Sequence, residues 1–239
     1  VWTSLATFAS WMILLARHSK EDKYKGLTYF ISPIADTPGV TVRPLIKITG
    51  QTGFNEVLFE DVVISDNMRL DEVGKGWTVA MTTLLHERGA AEGAGGGGGG
   101  GVEDRIKGLI ELAKRTPRGA GTAWDDRVLR DRIVQMTVRA AGLRQMARRG
   151  RVEALTDHPM RLPLQGKVVM TELMQDAADV GLEIEGAAGS LYVGDANAPE
   201  HGEWPLAYLN SFGMTIAAGT SEIQRNILGE RVLGMAKSK

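Results

Sequence analysis

Two stretches of the 239-residue chain combine residue types and spacings that could do chemistry. The first is SFGMTIAAGTSEIQRNILGERVLG, Ser211 to Gly234. Gly219 permits an abrupt turn, and Ser221 with Gln224 has the Ser-x-x-Gln spacing of a capping box. The free N–H groups of such a helix start favour a negative or strongly polar ligand, such as a phosphate or a thioester oxygen. A well-capped surface helix has the same spacing. The second stretch is GWTVAMTTLLHERGAA, residues 76–91. Trp77, Ala80, Met81, Leu84 and Leu85 fall on one apolar helical face. Glu87 continues the stripe through Ala80 and Leu84. A carboxylate facing a core or cleft loses hydration, so its pKa climbs toward the working range of a base. An ion pair or a solvated residue near a fraying helix end is the alternative. His86 points off the stripe and is expected at the surface.

Beyond that helix stand seven consecutive glycines, Gly95 to Gly101. Each costs a helix about 1 kcal/mol relative to alanine, so the run reads as a connector or a local melting of the helix. A phosphate-cradling loop would need the lysine and following hydroxyl that this run lacks.

Composition narrows the function classes. Apolar residues make up 43% and charged residues 24%, ordinary values for a globular protein. A formal net charge of -1 provides no general attraction to nucleic acid or to an anionic membrane. The basic run RQMARRGR, Arg144 to Arg151, reads as a solvated helix end. With no cysteine, disulfides, thiolate catalysis and zinc–thiolate sites are excluded, and a reducing cytoplasm fits. No apolar run approaches the roughly 20 residues of a membrane span, and no signal-peptide pattern opens the chain. It begins without Met, directly on a strand-like run, so it is expected to be part of a longer polypeptide.

The elements that must position these residues come in two textures. From the start to about residue 70, SWMILLAR, LTYFISPI, VTVRPLIKI and FNEVLFEDVVI are short β-type runs separated by turn residues, and no helix fits between them. Antiparallel meanders are expected. From about Gly76, four amphipathic segments follow and predict a helical bundle. Helicity is expected to break at HPMRLPLQG, around Pro159 and Pro163, and again at GDANAPEHGEWP. The fold class is therefore α+β, a partial antiparallel β-domain over 1–72 followed by an all-α four-helix bundle over 73–239.

AAGTSEIQRNILGERVLG resembles the end of the acyl-CoA dehydrogenase family, where a Gly-Thr-Ser-Glu-Ile-Gln-Arg-Asn run opens the last helix. VWTS resembles its flavin-contacting strand, PGVTVRPLIKITGQTGFNEVLFEDVVIS its middle β-domain, and EVGKGWTVAMTTLLHERG the first helix of its C-terminal domain. The resemblance implies an enzyme of lipid metabolism that uses FAD to convert an acyl-CoA thioester to the 2,3-enoyl-CoA. It passes electrons to an electron-transfer flavoprotein and works as a homo- or hetero-oligomer, dimer or tetramer. This chain would supply only the second part of the β-domain and the bundle. Its active site is expected to need a further segment or another polypeptide.

The resemblance also assigns residues. Some family members carry the base directly before Gly-Thr, where this chain has Ala218, with Ala217 before it. Others place a glutamate before an arginine on the neighbouring helix, which here selects Glu87 as base and Arg88 beside the substrate. The Ala218 N–H remains able to donate to the thioester oxygen, next to Gly219. For FAD, Trp2 would lie against the isoalloxazine and Thr3 or Ser4 at its polar edge. Thr220 and Glu222 would meet the diphosphate and sugar region. Glu183, Gly186 and Gly189 match a loop that reaches the adenosine of a neighbouring subunit's FAD. Ala187 replaces a common glycine there, and LAKRTPRGAGTAWDD stands where many relatives have an Arg-x-x-Phe-Gly motif for FAD. A non-catalytic partner subunit and a flavin monooxygenase on the same fold are the competing readings.

Overall fold

A computed structural model describes residues 1–93 and 101–237, without the side chains of 85 and 87–93. The glycine run therefore lies outside the described residues apart from Gly101. The chain divides into two compact units, Val1–Ala90 and Ala91–Lys239.

The first unit holds six strands: β1 (Thr3–Ser4), β2 (Trp11–Arg17), β3 (Leu27–Pro33), β4 (Val40–Leu45), β5 (Phe54–Phe59) and β6 (Arg69–Leu70). Every pairing is antiparallel. The strands do not form one continuous meander: the hairpin β2–β3 joins β6, and the hairpin β4–β5 joins β1, giving two three-stranded sheets. Alternation is weak on β2, where Ile13 faces Ile31 and Leu15 faces Tyr29 in register. Trp11, Ile13 and Leu15 are exposed while Met12, Leu14 and Ala16 are half-buried, so both faces of this strand are apolar.

Helix α1 (Gly76–Gly93) packs onto the same unit. Its start demands glycine, because a Cβ on Gly76 would sit 2.7 Å from the Thr28 backbone. Beside it Trp77 lies against Tyr24 at 4.9 Å between rings, and two turns on the Tyr29 hydroxyl donates to Thr83 Oγ1 at 3.3 Å. The predicted apolar stripe is only partly covered: Ala80 is buried, whereas Trp77 and Leu84 are exposed.

The second unit is built on α2 (Val102–Arg115), α3 (Arg127–Arg149), α4 (Arg161–Glu185) and α5 (Glu203–Ile216), the four helices of the bundle. Between α2 and α3 lies a small hairpin, β7 (Pro117–Arg118) and β8 (Gly121–Thr122); after α5 comes α6 (Ser221–Ile227). The bundle follows from helical spacing. Ile106, Leu109 and Leu112 on α2, Leu129, Ile133 and Met136 on α3, and Leu173, Ala177, Val180 and Ile184 on α4 make one core. A Leu as fully buried as Leu109, Leu129 or Leu173 stabilises the fold by about 1.5–3 kcal/mol. Asp126 caps α3, accepting from the Val128 and Leu129 N–H groups, which hold its carboxyl below the usual range.

Helix α4 begins earlier than expected. Pro159 lies outside it, but Pro163 is its third residue, and α5 likewise carries Pro205 third. A first-turn N–H has no intrahelical partner to lose, so proline there leaves the helix intact. Gly181 meets Trp204 of α5 so closely that a Cβ would fall 2.1 Å from the indole. Salt bridges of 3.0 Å for Arg132–Asp179 and 2.6 Å for Arg139–Asp176 tie α3 to α4 along the outer surface.

Candidate functional site

Each unit carries part of the residue set drawn from the sequence. In the first unit, Thr3 and Ser4 line a cleft of about 410 Å³ whose other walls are Ala6, Ala9, Trp11, Met12, Ile13, Ile31 and Ile34. Backbone geometry shapes its rim, since Trp2 and Leu5 both have positive φ, 65° and 54°. Trp2 is 64% exposed and touches Phe54 edge-on at 5.8 Å, so it is a surface ring. A flat heteroaromatic ring with apolar faces and a polar edge fits a cleft of this chemistry, with its apolar walls and two hydroxyls. Glu87 and Arg88 lie on α1, and their side chains fall outside the described residues. His86 is exposed, as its phase predicts.

In the second unit the feature is the turn between α5 and α6. Ala218 adopts φ 55° and Gly219 φ 98°. Left-handed backbone is strained for alanine and must be held by its surroundings. Two side chains hold it. Gln224 Nε2 donates to the Ala218 carbonyl at 2.6 Å, and Lys167 Nζ, from α4, donates to the carbonyls of Gly219 at 2.8 Å and Thr215 at 3.3 Å. Desolvation pulls the Lys167 pKa below its usual value, while Glu172 and Glu222 act in the opposite sense.

The cap differs from the expected box. Thr220 is the N-cap, accepting from the Ile223 N–H at 3.2 Å, and Ser221 is the first helical residue. With Thr220 in that role, the Gln224 side chain is free to reach back to the turn. The Ser-x-x-Gln spacing was right for a helix start but one residue out of phase.

Thr220, Ser221 and Glu222 line a polar cleft of about 450 Å³ together with Arg139, Glu172, Gln175, Asp176, Thr215 and Ile216. Its charges are organised. Arg225 pairs with Glu172 at 2.7 Å and holds that carboxyl below the usual range. Glu222 is lowered by its own backbone N–H and by the Thr220 hydroxyl. The donors of this cleft face its own carboxylates: Arg139 is on Asp176 at 2.6 Å, and the Ser221 hydroxyl lies toward Glu172.

The third group lies at the end of α4. Gly186 takes φ 59° and Gly189 is buried. Glu183 is engaged by Arg132 and lies 4.0 Å from Arg118, so its carboxylate is in an ion network reaching the β7–β8 hairpin. Two residues on, Glu185 has both carboxylate oxygens buried with no hydrogen-bond partner among the described residues. Burial pushes its pKa to about 7, Glu200 and Glu203 push in the same direction, and Arg115 opposes. Lys167 and Glu185 both escaped sequence reasoning, since one lysine or glutamate on an amphipathic helix carries no spacing signal. No group of three or more His, Cys, Asp or Glu side chains suited to a metal occurs among the described residues. Nor is any helix there long and apolar enough to cross a membrane.

Comparison with known proteins agrees with this anatomy. The model of the acyl-CoA dehydrogenase C-terminal domain matches residues 74–233. Acyl-CoA dehydrogenase IpdE1 of Mycolicibacterium smegmatis is 37% identical over 241 residues, covering 99% of this chain and 56% of that protein. Its namesake from Mycobacterium tuberculosis is 33% identical, covering 99% and 58%. The chain thus spans just over half the length of these relatives. Among solved structures, the ChsE4-ChsE5 complex from Mycobacterium tuberculosis aligns with TM-score 0.79 at 23% identity, over 99% of this chain and 60% of that one. A Tcur3481-Tcur3483 steroid ACAD aligns with TM-score 0.82 at 21% identity, over 100% and 60%. At those identities the structural likeness speaks to fold, whereas the domain match and the IpdE1 similarity speak to descent: the chain belongs to the acyl-CoA dehydrogenase family.

Proposed function

We propose that the chain takes part in FAD-dependent dehydrogenation of an acyl-CoA thioester to the 2,3-enoyl-CoA, with Glu87 as the base. The observation that carries this reading is the held turn at Ala218–Gly219, where Lys167 and Gln224 engage the carbonyls. A trans peptide sets N–H opposite C=O, so the Gly219 and Thr220 amides are presented away from those two side chains. The turn held in this way carries the Ala218 N–H, the donor proposed for a thioester oxygen on which enolate charge develops. Glu87 would remove the α-proton, and Arg88 would orient it or line the acyl pocket. When bound, FAD supplies the redox chemistry by accepting the β-hydrogen as hydride. Trp2, Thr3 and Ser4 would take its ring, Thr220 and Glu222 its diphosphate and sugar region. Glu183, Gly186 and Gly189 would take the adenosine of a neighbouring subunit's FAD. An electron-transfer flavoprotein would take the electrons. The domain division at 72/73 and a cytoplasmic setting belong to this reading.

Small side chains at Ala217 and Ala218 favour a branched or bulky acyl group, in keeping with the steroid ACAD among the structural relatives. Anaerobic bleaching of the flavin by a series of acyl-CoA thioesters, measured on the assembled protein, tests the reading. Glu87→Gln should abolish bleaching while leaving the bound-flavin spectrum intact. A Gln variant with full turnover would reject Glu87 as the base. A second reading, a partner subunit of a heteromer, is favoured by the two-protein complex among the relatives. Purification of the chain alone as a homo-oligomer with stoichiometric FAD would count against it.

A further inference from the structure

We propose that Lys167 is a positioning residue for the thioester-binding turn, an inference that rests on the function proposed above. Three observations converge on it. Its ammonium lies between two carbonyls 3.3 and 2.8 Å away, those of Thr215 and Gly219, on either side of the non-helical turn. The turn contains a non-glycine residue in left-handed backbone, Ala218, so its shape is imposed rather than locally preferred. The remaining carbonyl in that left-handed pair, on Ala218, is taken by Gln224 at 2.6 Å, which also lies 3.5 Å from the Gly219 carbonyl.

The chemistry follows from the geometry. A lysine ammonium has three protons and no acceptor capacity, so toward the turn it acts as a donor to carbonyls. Drawing in the Gly219 carbonyl fixes the opposite end of that peptide, the Thr220 N–H, on the outer side; Gln224 does the same for the Gly219 N–H. The amides are then aligned before any ligand arrives, and the ligand does not bear the entropy of ordering them. Lys167 is thus set to act on substrate only through the turn, and its position on α4 makes the bundle core the reference frame for those donors. Glu172, one and a half turns further along α4, remains on Arg225 at 2.7 Å and leaves the ammonium to the carbonyls.

The test uses Lys167→Met, which keeps the stem and removes the donors, and Lys167→Arg, which restores donors. Two readouts are taken on the assembled protein: amide hydrogen exchange across residues 215–220 without ligand, and affinity for a bulky, ring-bearing acyl-CoA with sulfur in place of the β-carbon. Loss of two charge-assisted hydrogen bonds should speed exchange in the turn and weaken thioester binding, each by roughly tenfold. Protection in the centres of α4 and α5 should be unchanged, and Lys167→Arg should recover most of both. Unchanged exchange and affinity in the Met variant would overturn the proposal, as would a loss of protection spread evenly over the bundle. If the unmutated protein fails to bind the thioester, the functional reading falls, and the exchange data alone decide whether Lys167 sets the turn. Should the Met variant not fold, Lys167→Leu is measured by the same two criteria.

Discussion

Toward the start of α4, Lys167 donates to two backbone carbonyls and Glu172 pairs with Arg225. At its last residue, Glu185 has two buried oxygens and nothing among the described residues to satisfy them. The first region spends its polar groups on geometry, fixing a turn that has no stable shape of its own. The second keeps a carboxyl in a place where ionisation is penalised, beside Glu200, Glu203 and the Arg115 that pairs with Glu200 at 2.6 Å. The lesson is that one amphipathic helix can carry both arrangements with the same apolar stripe, because what differs is whether a partner element brings a group that completes the hydrogen bond. The turn before α6 brings carbonyls to Lys167; the segment around Glu200 brings further negative charge to Glu185.

The contrast can be broken at several points. The largest effect is expected from Gly181→Ala, which sets a Cβ 2.1 Å from the Trp204 ring between the two regions. Overpacking of this kind should cost about 3 kcal/mol, read as a lowered denaturation midpoint at unchanged slope. Next comes Glu185→Gln. Its folded-state pKa is about 7 against 4.5 for the ordinary group, so between those values the folded chain holds a proton that the unfolded chain releases. The stability tied to this carboxyl is therefore full below pH 4.5, declines as pH rises toward 7, and is level above it. The Gln variant should lack that decline, and melting curves for both proteins from pH 4 to 8 would show their difference opening across this window. Parallel curves would return Glu185 to the ordinary carboxylates. The smallest effect belongs to Arg225→Ala. Its pair with Glu172 is largely solvated, so loss of stability should stay within about 1 kcal/mol. A much larger loss would mean that the polar cleft depends on that pair.

Much of this architecture was legible in the residues. The helices α2, α3 and α4 announce themselves through Leu109, Ile133, Leu173 and their neighbours at three- and four-residue intervals. The strands are equally plain, but their division between two sheets is not, because pairing partners are set by long-range packing that a local run cannot encode. Pro163 misled for a related reason: proline forbids a helix interior but not a first turn, and which of these it occupies depends on where Met160 ends the preceding segment. Gln224 was visible as a polar residue at capping distance, yet its true hydrogen bond to Ala218 required the one-residue shift of the cap to Thr220. Lys167 was invisible, since its meaning lies in carbonyls about 50 positions away in the chain.

The contact of Trp204 with Gly181 has a mechanical consequence. Helix α5 is a rod of 14 residues, about 21 Å long, with the indole near one end and the left-handed turn just past the other. An indole seated on bare backbone sets how closely α5 approaches α4 at that end, and position 181 has no room for a side chain.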